Sequence, residues 1–324
     1  MSSPSPKELV DRLIKGDRRA AARAISLVEN RSPLSSELMK LVYPHAGGAE
    51  IIGLTGSGGS GKSTLIDRLL TGFRAQDRKV GVVAVDPSSP FTGGAILGDR
   101  IRFQRHTGDE GVFIRSMGSR GHLGGLSRAA NDAVRIMEAM GNQVVLVETL
   151  GAGQDEIEII NLAQTCLLVV TPGMGDDIQA MKAGIMEIAH IIVLNKSDLD
   201  GAETTLRSLE ATLGLSPGHE AGWPTRVVPT VAASSGAKEA KGIEELLTAI
   251  AEHQTHLRES QELERLRAAR VERELGLVLK DELERLIFQG LKGSGRKKAY
   301  IHSILEGKAD PYSVVEEVLS SLVK

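Results

Sequence analysis

The sequence predicts an α/β fold, a mostly parallel sheet flanked by helices, with helical extensions at both ends of the chain. Three observations carry this expectation. Short runs of apolar residues recur, at 51–54, 80–85, 144–147, 166–170, 191–194 and around 226–233. Runs that are apolar at nearly every position read as strands covered on both faces. Between them lie stretches with apolar residues three and four apart, the period of helices packed on such a sheet. Several runs also end on glycine or on a carboxylate or amide side chain, at the strand ends where open α/β sheets place ligands.

The chain has 324 residues, 41% hydrophobic and 25% charged, an ordinary globular composition at a length that carries a sizeable core. A net charge of −3 gives no global field to attract nucleic acid or an anionic membrane surface. There is no apolar run long enough to span a bilayer and no signal-peptide core. The single cysteine, Cys166, lies inside an apolar run. It excludes an internal disulfide framework and a Cys-x-x-Cys metal site, and it points to a reducing, cytoplasmic compartment.

Residues 1–6 read as a frayed tail. Leu9, Leu13, Ala20, Ala24, Ile25 and Val28 trace two short helices broken near Gly16-Asp17, and a third helix follows from Ser35 to Tyr43. Residues 1–48 thus form a helical extension before the first strand.

The central stretch is Ile51-Ile52-Gly53-Leu54-Thr55-Gly56-Ser57-Gly58-Gly59-Ser60-Gly61-Lys62-Ser63-Thr64. Gly56 through Ser63 fits G-x-x-x-x-G-K-[ST] after a strand, and Leu65, Ile66, Leu69 and Leu70 continue it as a helix. Glycines let the backbone wrap a phosphate chain, and the helix N-terminus adds positive potential. In this arrangement Lys62 reaches the β- and γ-phosphates and the Ser63 hydroxyl ligates Mg²⁺. The expectation is a nucleoside triphosphate bound by residues 56–64.

The second strand, 79–86, ends on Asp86 and runs into a turn-rich segment; Gly98-Asp99-Arg100 follows. Asp86 and Asp99 are candidates for the magnesium shell, and Asp99 also for ordering the attacking water. A third strand covers 112–115, then a glycine-rich loop, then a helix from about 127 to 140. Residues 143–151 form the next strand, four apolar residues closing on Glu148, where a magnesium-holding carboxylate is expected, with Gly151 facing the γ-phosphate. Gln154 is a candidate for orienting water, although it stands three residues after Gly151. No arginine near the phosphate loop is placed as a finger.

After the strand at 166–170 comes a polar stretch, 171–182, and then the strand His190-Ile191-Ile192-Val193-Leu194-Asn195-Lys196-Ser197-Asp198. An apolar strand closing on Asn-Lys-x-Asp is the guanine-reading element of GTPases. Asp198 accepts from the guanine N1–H and amine, the Lys196 stem packs on the ring, and Asn195 holds the loop. The last strand, 226–233, ends on Val231, Ala232 and Ala233, whose backbone N–H groups are placed to meet the guanine O6; the Ser-Ala-Lys-like triplet usual at that point is absent. The nucleotide is therefore GTP, and residues 49–252 are its domain. From about 252 to 289 Arg and Glu are interleaved, with Leu263, Leu266, Leu275, Leu279, Leu283 and Leu286 in helical register. Such an arm fits a subunit interface or a helix packed back on its own domain. Residues 253–324 are assigned to it.

Together these segments resemble the MeaB/ArgK family, GTPase chaperones of adenosylcobalamin-dependent acyl-CoA mutases. The likeness rests on Asp86-Pro87-Ser88-Ser89-Pro90, Gly98-Asp99-Arg100, Glu148-Thr149-Leu150-Gly151-Ala152-Gly153-Gln154 and Asn195-Lys196-Ser197-Asp198. It implies a GTPase of the signal-recognition-particle-like class, a homodimer, and a checkpoint in which GTP binding and hydrolysis gate cobalamin loading and protect or reactivate the mutase. An adenosyltransferase is a further implied partner. Residues 176–182 resemble the family's third switch, which makes Asp176, Gln179 and Lys182 candidates for coupling partner contact to hydrolysis. Two rival classes are a metallochaperone GTPase and a P-loop kinase. Scattered histidines, with the pair His253 and His256 in a charged helix, argue against the first, and Asn195-Lys196-Ser197-Asp198 against the second.

Overall fold

The structure, a computed structural model, describes residues 4–86, 104–106, 108–118, 125–149, 162–173, 189–214, 222–233, 240–293 and 295–322. The chain divides into two compact units, Met1–Arg270 and Val271–Lys324.

The first unit is built on seven strands: β1 (Glu50–Thr55), β2 (Val80–Asp86), β3 (Val112–Gly118), β4 (Val144–Thr149), β5 (Thr165–Val170), β6 (Ile191–Asn195) and β7 (Arg226–Thr230). Their spatial order is β3-β2-β4-β1-β5-β6-β7, and every pair is parallel. The chain leaves β1 toward one edge and, after β4, resumes on the other side. β1 is thus the switch point, where ligands bind beyond the carboxyl ends of the strands.

Period-two alternation supplies both cores. Ile52 and Leu54 of β1, Val144 and Leu146 of β4, and Leu167 and Val169 of β5 bury against α4 (Lys62–Ala75) and a C-terminal helix, Ile243–Glu259. The intervening Ile51, Val145 and Val147 face the opposite layer, which holds α1 (Pro6–Leu13), α2 (Arg18–Glu29), α3 (Ser35–Val42) and α5 (Gly125–Ala139). Farther along that side, Leu168, Ile192 and Leu194 meet Leu209 of α6 (Ala202–Gly214). The helix Ile243–Glu259 is α7. No helix among the described residues is long and apolar enough to cross a membrane.

The N-terminal tail ends sooner than expected. Ser5 caps α1: its hydroxyl accepts from Glu8 N–H at 3.3 Å while its own N–H donates to the Glu8 carboxylate at 2.9 Å. This is a capping box, with Pro6 in the first turn. Asp17 caps α2 through its carboxylate, accepting from Arg19 and Ala20 N–H at 2.9 and 3.1 Å. Leu9, Leu13, Ala24 and Ile25 then share one apolar cluster with Val134 and Met137 of α5. Arg115 of β3 ties the layer down by donating to Glu29 at 2.7 Å and to Ser26 at 3.1 Å. β3 runs three residues past the expected end at 115, because pairing with β2 continues to Asp86 and Gly118.

At the strand starts, opposite the phosphate loop, a buried polar seam joins β5, β6 and α7. The Cys166 N–H donates to His190 Nδ1 at 2.9 Å, and Trp223 Nε1–H donates to the His190 carbonyl at 3.0 Å. Gln254 donates to the Thr165 hydroxyl at 2.7 Å, which lies 2.9 Å from His253 Nδ1. His253 is fully buried, so it belongs to the core face of α7 rather than to a charged surface. The Trp223 ring lies 4.8 Å from that of His253 and 5.3 Å from that of His256. Burial of Cys166 pushes its thiol pKa up to about 12.

α8 (Glu262–Gly293) begins in the first unit and continues into the second, which also holds α9 (Arg296–Leu305) and α10 (Pro311–Leu322). Within that second unit Leu275, Leu279, Leu283 and Leu286 are about half exposed, as are Ile301, Val315 and Leu319. Tyr300 donates to Glu317 at 2.8 Å, joining α9 to α10.

Candidate functional site

β1 delivers the chain at Thr55 into a loop whose shape only glycine fits at two places. Gly56 has φ +139°, and a Cβ there would overlap the Val169 carbonyl oxygen of β5. Gly61, with φ +93°, is the N-cap of α4, and its Cβ would overlap the Asn195 amide nitrogen. Both positions are therefore closed to any other L-residue on grounds of φ and of space. Lys62, the first residue of α4, is 4% exposed, and its ammonium donates to the carbonyls of Gly56 at 2.5 Å and Ser57 at 2.9 Å. The cation is thus folded over the mouth of the loop, at a helix N-terminus whose first N–H groups have no partner within the helix.

Ser63 sits beside it. Its hydroxyl donates to Glu148 Oε1 at 2.7 Å, and Glu148 is buried near the end of β4, in register with Leu54 of β1. A hydroxyl and a carboxylate, both oxygen, side by side at a helix N-terminus form a donor set that could hold a hard divalent cation such as Mg²⁺.

A second cluster closes the other side of the loop. Asn195, at the end of β6, is 2% exposed. Its amide donates to the Ser60 carbonyl at 2.8 Å, and its oxygen accepts from Thr230 Oγ1 at 3.2 Å and Ala232 N–H at 3.1 Å. Lys196, at φ +57°, donates to the Gly59 carbonyl at 2.8 Å. Ser197 N–H donates to the Thr230 carbonyl at 3.0 Å, and Leu199 N–H closes the turn on Lys196 at 3.0 Å, leaving Asp198 exposed within it. Val231 exchanges both backbone bonds with Lys241, at 3.0 and 3.1 Å, and Ala233 follows at the surface. Residues 56–61, 195–199 and 230–233 are one hydrogen-bonded body.

The structure brings together Gly56 to Thr64, Glu148, Asn195, Lys196, Asp198 and Val231 to Ala233 at the carboxyl edge of the sheet. Asp86 ends β2 at the same edge. Its side chain lies outside the described residues, as do Asp99, Gln154, Asp176, Gln179 and Lys182 in their entirety. Sequence reasoning missed Thr55 and Thr149, whose hydroxyls lie 3.5 Å apart under the loop, and Arg68 of α4, whose Nε donates to the Ala232 carbonyl at 2.9 Å. None of the three carries a signal in residue type or spacing.

A family model described as "Methylmalonyl Co-A mutase-associated GTPase MeaB" matches residues 21–291. A Pyrococcus abyssi protein named as a GTPase is 45% identical over 318 residues, 98% of this chain and 96% of that one. GTPase ArgK of Escherichia coli is 38% identical over 267 residues, covering 80% of this chain and 79% of its own. Among solved structures, "Crystal structure of LAO/AO transport system kinase" is similar with a TM-score of 0.70 and 26% identity, spanning 100% of this chain and 99% of that chain. A phosphate loop at the switch point of a parallel sheet, an Asn-Lys-x-Asp strand end locked to it, and a family match across most of the length converge: the chain belongs to the MeaB family of methylmalonyl-CoA mutase-associated GTPases.

Proposed function

We propose that this GTPase is the chaperone of an adenosylcobalamin-dependent acyl-CoA mutase in the cytoplasm, and that its nucleotide state gates cobalamin loading and protects or reactivates the mutase. GTP and GDP with Mg²⁺ are the ligands of P-loop GTPases, and hydrolysis of GTP to GDP and phosphate is the reaction of the family. The observation that carries the reading is the single hydrogen-bonded body formed by the phosphate loop and the base-reading strand ends. In it, Lys62 exchanges the Gly56 and Ser57 carbonyls for the β- and γ-phosphates. Ser63 and Glu148, with Asp86 and Asp99 as further candidates, hold the magnesium ion, which when bound neutralises charge on the phosphates. Asp198 reads the guanine edge, and the segment Val231 to Ala233 offers it the Ala233 backbone N–H, since the Val231 and Ala232 N–H groups are taken by the Lys241 carbonyl and by Asn195.

Hydrolysis is slow in isolation on this reading, because the sequence sets no evident arginine finger beside the phosphate loop and the missing cation, Lys182, reaches the nucleotide only when a partner reshapes residues 176–182. Gln154 stays a candidate for orienting the water. The half-exposed apolar side chains of the second unit, Leu275, Leu279, Leu283 and Leu286 among them, support an arm that pairs with a second copy of the chain, and an adenosyltransferase is a further partner. The test is GTP turnover of wild type and Lys182→Ala, each with and without an adenosylcobalamin-dependent methylmalonyl-CoA mutase. Stimulation of wild type by orders of magnitude, lost in the mutant, is expected. Equal stimulation of both removes Lys182 from the mechanism, and failure of any such mutase to stimulate wild type removes the chaperone role.

A further inference from the structure

We infer that Arg68 is a positioning residue for recognition of the purine O6, an inference that rests on the assignment of Val231 to Ala233 as the segment meeting the base. That segment has no polar side chain with which to hold itself, so neighbouring groups must fix its backbone. Val231 is pinned on both its N–H and its carbonyl by Lys241. The Ala232 N–H is taken by Asn195 Oδ1 at 3.1 Å, and the Ala232 carbonyl accepts from Arg68 Nε at 2.9 Å.

The last of these bonds has a geometric consequence. The Ala232 carbonyl and the Ala233 N–H belong to one planar amide, and this amide is trans, since the described chain has no cis peptide bond. In a planar trans amide the C=O and N–H vectors are antiparallel. A donor that fixes the Ala232 oxygen therefore aims the Ala233 N–H the opposite way, and among the described residues that N–H is the donor the segment has left to offer. A charged donor on the carbonyl also polarises the amide and strengthens its N–H as a hydrogen-bond donor. Arg68 lies on α4, the helix that begins with Lys62, so one rigid element sets both the cation at the phosphates and the amide at the base.

The experiment uses the full chain and three diphosphates: GDP, IDP (which keeps O6 and lacks the 2-amine) and 2-aminopurine riboside diphosphate (which keeps the amine and lacks O6 together with the N1–H). The role of Arg68 is read from the change that each variant makes in the GDP-to-2-aminopurine ratio. Affinities are measured by calorimetry for wild type, Arg68→Met and Arg68→Lys. Arg68→Met is expected to weaken GDP and IDP by about tenfold, the worth of one charge-assisted contact, and to leave the 2-aminopurine nucleotide within about twofold. Arg68→Lys, which keeps a cationic donor, is expected to recover part of the GDP-to-2-aminopurine ratio; this ratio also serves should Arg68→Met fold poorly. Equal weakening of all three nucleotides, or no weakening of any, overturns the role of Arg68. A wild type that binds GDP but does not prefer it to the 2-aminopurine nucleotide overturns the base-reading assignment beneath it, and a wild type that binds no GDP overturns the nucleotide site itself.

Discussion

Replacing Asn195 by alanine tests whether the phosphate loop and the base-reading strand ends are one body before any nucleotide arrives. The side chain makes three hydrogen bonds, to the Ser60 carbonyl at 2.8 Å and from Thr230 and Ala232 at 3.2 and 3.1 Å. At about 1 kcal/mol each, their loss amounts to roughly 3 kcal/mol. The site is 2% exposed, so the Ser60 carbonyl and Ala232 N–H lose their Asn195 partner out of reach of bulk water, which argues for the upper part of that range. In a unit of this size about 1 kcal/mol moves the midpoint by roughly 2–4 °C, so Asn195→Ala is expected to melt roughly 6–12 °C below wild type. The measurement is thermal and urea unfolding of nucleotide-free protein, with Lys196→Met as control. Among the described residues the Lys196 ammonium makes one exposed bond, to the Gly59 carbonyl, so the control is expected within about 0.5–1 kcal/mol of wild type. Should Asn195→Ala unfold within about 1 kcal/mol of wild type, the three segments are independent loops and the coupling argued above is wrong.

Asp198→Asn is expected to weaken GDP on the order of a hundredfold and to favour xanthosine diphosphate, because xanthine offers a carbonyl where guanine offers an amine; retained GDP preference in competition binding removes Asp198 as the base reader. For Cys166, with its thiol pushed up to about 12, alkylation of the native protein by iodoacetamide at pH 8 is expected to proceed only at the rate of unfolding, and rapid native labelling refutes the burial argument. The same shift sets a sign for alkaline stability. The folded-state value lies above that of the unfolded chain, so the contribution is intact below about pH 9 and declines as pH rises toward about 12. In that window wild type should lose up to about 1.4 kcal/mol per pH unit relative to Cys166→Ala, read from urea midpoints, and parallel curves would contradict it.

The parts of the molecule that were legible in the sequence are those whose physics is local. Strands such as β4 and β6 are apolar at every interior position because helices cover both faces, so burial alone announces them. The loop at Gly56 to Ser63 announces itself because φ and space exclude other residues at its ends. β3 was legible only as far as Arg115: Ser116 and Gly118 read as the start of a glycine-rich loop, and what keeps residues 116–118 in the strand is pairing with β2 to Gly118. The N-terminal helices showed apolar stripes, but a stripe does not name the surface it meets; the meeting with α5 and the sheet is a tertiary fact. Ser5 carried its capping signal, Ser-x-x-Glu, yet stood among prolines and serines that read as a tail. Arg68 and His253 were illegible for a different reason. Each looks like an ordinary helical polar residue, and each takes its place from a partner far along the chain, Ala232 for one, Thr165 for the other.

Trp223 is the protein's one tryptophan, and it lies in the seam of β5, β6 and α7 with the Arg226 guanidinium 5.2 Å from its ring. Its indole is surrounded by imidazoles and a cation, groups that perturb emission, at the sheet edge remote from the phosphate loop. Intrinsic fluorescence is thus a built-in probe of the amino ends of the strands and reports nothing directly about what occupies their carboxyl ends. Unfolding followed by tryptophan and unfolding followed by release of a labelled nucleotide watch opposite edges of one sheet. Coincidence of the two curves measures how far that sheet melts as a unit, and a gap between them measures how much of the nucleotide edge opens while the rest still holds.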